Sequence, residues 1–360
     1  MNQTSMLKFN DGQHMRTILT CSLLSAKPVI IDNITPKITD AEAMFVNILA
    51  KIAPSTKATI SADGKKVTFE PGIIEGGDFQ FDCPQGRSLG YYLEYLLLIL
   101  PFAKYITKIQ LQGETHNNQD LSVDYISSSL IPQLRYFSDS QMNLQVNSRA
   151  FGGQEITPNG RCVLSVTPTT AFKSLQFTKP SPFKQMNGII LSLNVPPTMG
   201  QRLLMRVKQN FSFVPNIQLR FETKGGKMVQ SAPGFGCMLE AETMDGGKVA
   251  CELYTDKIEA DPENMADYLC ADIGDQIRQF GCCDTLSQQC VVLASCFAQE
   301  DVSFIRLGTV QERVLGCLRV AKEFFGVEAQ LEEYKIEGIV NGINLVVRGA
   351  GVRNVSKMGW

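Results

Sequence analysis

Residues 41–69 read AEAMFVNILAKIAPSTKATISADGKKVTF, and this stretch decides the fold class. Ala41 to Ile52 places its apolar residues at helical spacing. Beyond it, Ala58-Thr59-Ile60 and Val67-Thr68-Phe69 flank Asp63-Gly64, the turn signal of a β-hairpin. A helix leading into a hairpin implies helices layered on a sheet.

The same alternation continues outward on both sides. Arg16 to Leu24 reads as a helix after the polar turn Asn10-Asp11-Gly12, and Val29-Ile30-Ile31 as a short strand. Leu89 to Leu100 is an apolar helix, Ile106 to Leu111 a strand, and Ser122 to Leu134 a helix again. A second region has its own pattern. Gly188 to Leu193 is a strand and Pro197 to Gln209 a helix with proline near its start. Ile217 to Glu222 is a strand followed by the turn Lys224-Gly225-Gly226-Lys227. Gly236 to Glu242 and Lys248 to Tyr254 then pair around Asp245-Gly246-Gly247. Lys179-Pro180-Ser181-Pro182 and Asp261-Pro262 bound this region, so residues 184–260 read as an insert within a larger α/β (α+β) domain of residues 1–183 and 261–360. No internal repeat is visible along the chain.

Bulk composition narrows the function class. The 360 residues suffice for about two domains. Hydrophobic residues make up 44% and charged residues 19%, which is ordinary globular usage. Lys+Arg number 34 and Asp+Glu 36, so any contact with RNA needs a local basic patch. The 11 cysteines are an odd count set in apolar runs such as Cys290-Val291-Val292-Leu293, which fits a reducing compartment. Cys282-Cys283 is adjacent and lacks zinc-ligand spacing. Met1 to Phe9 lacks a signal-peptide core, and no segment approaches the roughly 20 apolar residues of a membrane span. The expectation is a soluble intracellular protein.

Six strings along the chain carry a resemblance. Gly12-Gln13-His14-Met15-Arg16 matches a G-Q-x-x-R pattern and is followed by Ser25-Ala26-Lys27-Pro28-Val29. Pro71 to Gly77 matches P-G-x-I-x-G-G. Leu89-Gly90-Tyr91-Tyr92-Leu93-Glu94 with Ile99-Leu100-Pro101-Phe102 matches G-Y-F-x-E…L-A-P-F, with Leu100 in place of the alanine. Gly113-Glu114-Thr115-His116-Asn117 and Ser122-Val123-Asp124-Tyr125 follow. Ser231 to Gly236 matches an S-P-G-x-G string, and Gly351 to Lys357 a characteristic ending. Taken in order, they resemble the RNA 3′-terminal phosphate cyclase superfamily, and within it the cyclase-like, ribosome-assembly branch.

The resemblance implies a large domain of repeated units, each with two helices and a four-stranded sheet, plus a small α/β insert domain. Cyclases of this family work through an adenylylated histidine near the C-terminal helix. The segment that corresponds, Gly308 to Phe325, contains no histidine and offers Glu312 and Arg313 instead; the two histidines of the chain are His14 and His116. The N-terminal loop is also reduced, to Phe9-Asn10-Asp11-Gly12. The resemblance therefore implies a non-catalytic protein without a cofactor or metal, acting in small-subunit (18S) pre-rRNA processing in the nucleolus. It would bind a ribosome-assembly GTPase and pre-rRNA among small-subunit processome components, and would be monomeric alone. A pre-rRNA endonuclease and a residual cyclase are the alternatives.

Several residues stand out by type. Gln13 and Arg16 either hold phosphate or form a helix-start turn with a surface salt bridge. Arg306, Arg313, Arg319 and Lys322 stand against Glu312 alone in a locally basic segment, with Arg348 nearby in sequence. Arg319 and Lys322 share a helix face, and Arg313 lies on a neighbouring one. These are the RNA-facing candidates, the alternative being a solvated helix face. Gly12, Gly76 and Gly77, with Thr115 and His116, form the family-motif loops; His116 reads as a turn histidine satisfied by backbone. Lys224, Lys227 and Lys248 read as hairpin solubilisers. Asp120, Asp124 and Asp284 read as helix caps and surface acids.

Overall fold

The computed structural model describes residues 6–153, 156–178, 182–224, 230–244, 247–279, 281–336 and 339–357. Residues 179–181 of the expected boundary, the turn at 225–227 with Lys227, and Asp245-Gly246 lie outside them.

The first unit comprises β1 (Leu7–Phe9), α1 (Met15–Ser25), β2 (Val29–Ile31), α2 (Asp40–Ile52), β3 (Lys57–Ile60) and β4 (Val67–Glu70). Its sheet runs β1-β2-β4-β3, with β1 and β2 parallel and the other pairs antiparallel. A capping box of Thr39 and Glu42 starts α2.

The second unit repeats the pattern. It comprises β5 (Asp78–Asp82), α3 (Gly90–Ile99), β6 (Thr107–Gly113), α4 (Val123–Tyr125), α5 (Ile131–Leu134), β7 (Met142–Ser148) and β8 (Gly160–Val166), with sheet order β5-β6-β8-β7. The single helix expected over 122–134 is interrupted by a π-turn at Ile126–Leu130. Pro132 has no N–H to donate and crowds the carbonyl four residues back, so the turn before it widens and Ile131 bonds to Ile126.

The third unit is split in the chain. Its first strand, β9 (Gln176–Phe177), is followed by the inserted region. That region comprises β10 (Phe183–Leu193), α6 (Pro197–Asn210), β11 (Ile217–Lys224), β12 (Gly234–Thr243), β13 (Lys248–Thr255) and α7 (Pro262–Arg278). Then come α8 (Gln288–Phe297), β14 (Val302–Leu307), α9 (Glu312–Phe325), β15 (Ala329–Ile336) and β16 (Ile339–Arg348). The sheet order β9-β14-β16-β15 restores the topology of the first two units. The chain thus contains a three-fold structural repeat that no residue pattern revealed.

Two cores hold the molecule together. The large one draws on all three units, and its centre is α3 and α8, buried on every side. A helix apolar all round can only lie inside. The smaller core fills the space between the inserted sheet, ordered β11-β10-β12-β13, and helices α6 and α7. Met265, Ala266, Leu269 and Ile273 of α7 belong to it, so this core runs past residue 261. The opposite face of the inserted sheet is not free. Leu191, Leu193, Met238, Ala250 and Tyr254 pack into the large core. Among the described residues no helix is long and apolar enough to cross a membrane.

Candidate functional site

The N-terminal ends of α1, α8 and α9 converge on one cleft of about 540 Å³, with Glu94 and Tyr95 from the middle of α3 at its floor. Gln13, His14 and Arg16 reach it from the start of α1, and Arg87 from the turn before α3. Leu286 and Gln289 come from α8 and its approach, and Glu312, Arg313, Gly316 and Arg319 from α9. The loop Asn117 to Leu121 and residues Glu252 to Tyr254 of β13 close the remaining sides. Helix N-termini carry unpaired N–H groups and a partial positive charge, so their convergence favours an anion.

Arg16 anchors the floor. Its Nη1 donates to Tyr91 O at 2.6 Å and to Glu94 Oε2 at 3.0 Å. Its guanidinium also stacks on the rings of Tyr91 and Tyr95, 4.0 and 4.6 Å from their centroids. Burial alone would lower its pKa, but Glu94 and the tyrosines hold it above the usual value. Arg87 stacks on Tyr91 at 4.1 Å and grips Asp120 through Nε at 2.9 Å to each carboxylate oxygen. Asp120 accepts from Ser88 N and Asn117 Nδ2 as well, which fixes the loop at the cleft rim.

The α9 wall is differently occupied. Arg313 donates to the carbonyls of Thr285 and Leu286 at 2.7 and 3.1 Å, pinning the approach to α8. Arg319 is exposed and lines both the cleft and a second groove of about 470 Å³, where Lys322 and Arg348 also stand. Lys322 reaches Glu328 at 3.1 Å in an exposed pair of little energetic weight. His14 packs against α9 at Gly316, where any side chain would collide with its Nε2. Burial, opposed by Asp11 and assisted by Arg319, lowers its pKa, so the imidazole is neutral at pH 7.

The structure therefore brings together Gln13, Arg16, Arg313 and Arg319. It corrects Arg306, which is 8% exposed on the inner strand β14 and stacks 3.6 Å from the centroid of Tyr334. A buried arginine on a central strand cannot face RNA. Gly12, Gly76 and Gly77 do not line the cleft. Gly76 has φ +74° and sits against Thr107 Oγ1, a tight turn that needs glycine.

His116 is also corrected, and none of the three aspartates is a surface acid, although Asp284 does cap the approach to α8. His116 is fully buried, with Nε2 2.9 Å from Asp124 Oδ2 and Nδ1 2.8 Å from Thr115 Oγ1. Arg149 joins them, donating to both Asp124 oxygens at 2.7 Å and to Glu222 of β11 at 2.7 Å. Burial opposes it, but His116 and Arg149 hold the Asp124 carboxyl well below its usual range. Asp284 is likewise buried, accepting from Tyr125 Oη at 2.5 Å and from the backbone N–H groups of Ala250 and Ser287. Lys248 pairs with the buried Glu240 at 2.7 Å rather than pointing into solvent. Among the described residues no group of three His, Cys, Asp or Glu could hold a metal ion.

Sequence reading singled out none of His14, Arg87, Glu94 and Glu252 as site residues. Glu94 alone left a signal, as the single carboxylate in the apolar run of α3. With Arg16 and Arg87 already matched to carboxylates and Asn117 holding the rim loop, Arg319 and the polar amides of Gln13, Asn118 and Gln119 are the groups left to meet a ligand. Such a set can hold phosphate and hydrogen-bond a polar ligand.

The family model for RNA 3′-terminal phosphate cyclase matches residues 7–331. The RNA 3′-terminal phosphate cyclase-like proteins of Mus musculus and Homo sapiens are each 30% identical over 370 residues, covering 99% of this chain and 98% of theirs. The rRNA processing protein rcl1 of Schizosaccharomyces pombe is 25% identical over 371 residues, covering 99% of both chains.

Proposed function

Because the chain belongs to the RNA 3′-terminal phosphate cyclase family, we propose that it is a non-cyclising member that holds pre-rRNA in its central cleft and serves small-subunit (18S) rRNA processing. The observation that carries this reading is the α9 wall. Glu312, Arg313, Gly316 and Arg319 face the cleft there, and α9 carries no histidine. No neighbouring side chain of that helix supplies the phosphoramidate intermediate a cyclase needs. The names of the relatives point the same way: cyclase-like, and in one case an rRNA processing protein. A ribosome-assembly GTPase is the proposed protein partner, with the nucleolus as the proposed place of action.

His14 makes the test a sharp one, since a neutral imidazole does line the cleft. Its Nε2 is packed against Gly316, and the expected result is that labelled ATP with Mg²⁺ leaves no acid-labile AMP on the protein. Stoichiometric AMP lost in a His14→Ala variant would overturn the non-cyclising reading.

A further inference from the structure

His14 lines the cleft from the N-cap position of α1, yet its side chain makes no capping bond to the helix. Neither ring nitrogen has a hydrogen-bond partner among the described residues. The half-buried ring nevertheless has a seat. Gly316, one turn into α9, lines the same cleft, and a Cβ there would collide with Nε2 and Cε1 of His14. Glycine leaves the notch into which the imidazole fits. The ring thus stands where the first turns of α1 and α9 meet, and both helix ends favour an anion beside it.

The charges around the ring set its state. Burial disfavours the imidazolium most, Asp11 from the loop before α1 favours it, and Arg319 of α9 opposes it. The other cations of the cleft are committed: Arg16 to Glu94, Arg87 to Asp120, and Arg313 to two carbonyls. Burial holds Tyr95 of α3 and Tyr254 of β13 neutral. Glu252 of β13 and Glu312 of α9 are the remaining carboxyls of the wall. The balance leaves the ring neutral at pH 7. An anion within hydrogen-bond reach reverses it, because an opposite charge favours the protonated form. An anion that raises the His14 pKa also binds more tightly once the ring is protonated. Affinity therefore rises as pH falls through the raised value and levels off below the lowered one.

We propose that His14 is a proton-linked phosphate contact: its ring donates a hydrogen bond to a phosphodiester of RNA in the cleft and takes up one proton from solvent as the RNA binds. The proposal rests on the reading of the cleft as an RNA site. The test measures the affinity of oligo(U) with hydroxyl ends, whose phosphodiesters keep their charge throughout, between pH 5.5 and 8. It compares the full chain with its His14→Gln variant. A rise of one pKa unit at His14 corresponds to about a tenfold gain toward low pH. The wild-type protein is expected to show a gain of that order and the variant to lack it, any trend from Glu252 being common to both. The chain has two histidines and His116 is buried, so the His14 ring resonance can be titrated directly. Its midpoint should rise when oligo(U) is added, and this reading on the wild-type protein decides alone if the variant fails to fold. Equal pH dependence in both proteins, or a His14 midpoint that oligo(U) does not move, overturns the proton link and leaves the cleft standing. Absence of oligo(U) binding at low salt across the whole pH range overturns both.

Discussion

Glu252 stands on β13 in the cleft wall, accepting from Ser122 N and Oγ at 2.8 and 2.5 Å. Burial pushes its carboxyl up to about 8, helped by Asp124 and Asp284 and only partly opposed by Ser122. A carboxyl raised in the folded state binds its proton more tightly there than in the unfolded chain. The favourable state is therefore complete below the unfolded value of 4.5 and is lost as pH rises through about 8. Thermal midpoints between pH 6 and 9 should fall less steeply for Glu252→Gln than for the wild-type protein; identical slopes would remove Glu252 from the account. Arg149 offers a second test. Arg149→Ala strands the buried Asp124 with His116 alone, and the expected cost is about 3 kcal/mol in urea unfolding. A loss no larger than that of an exposed pair would mean water replaces the guanidinium. At this scale the sequence identified residue types but not their partners. Arg16 finds Glu94 across 78 positions, and Arg306 disappears beneath Tyr334.

Helices and strands were legible wherever their periodicity was local. The boundaries of α1, α2 and α6 fall within one residue of expectation; a capping box marks the start of α2 and a proline that of α6. The interruption before Pro132 is signalled by the proline itself, and reading 122–134 as one helix passed over it. The role of α7 was not legible, because it depends on what the helix packs against. The inserted region is held firmly by its host: one face of its sheet lies in the large core, and Arg149, Ser122 and Asp284 bond to β11 and β13. We propose residues 183–278 as the unit that shares the smaller core. Its deletion should leave a remainder that binds a hydrophobic dye and melts without cooperativity, because the faces of α4 and α5 would lie bare. A soluble remainder with a sharp transition would show that the two cores are independent after all.

For the whole molecule, the three-fold repeat sets helix N-termini at a cleft, an arrangement that favours an anion even in a chain of net charge -2. Charge is not what gathers at the cleft; helix N-termini are, brought together by repeated topology. That convergence was invisible in the residues, whose repeat is structural; the family resemblance implied the repeated units but not the meeting of their helix ends. On the proposed function, this cleft and the α9 surface beside it hold RNA phosphates. Arg319 and Lys322 are exposed, so alanine at both leaves the core intact. The most direct measurement is RNA affinity for the Arg319→Ala, Lys322→Ala variant across a salt series. The expected result is weaker binding and a salt slope reduced by roughly one to two units, about one per lost phosphate contact. Unchanged affinity with an unchanged slope would contradict it.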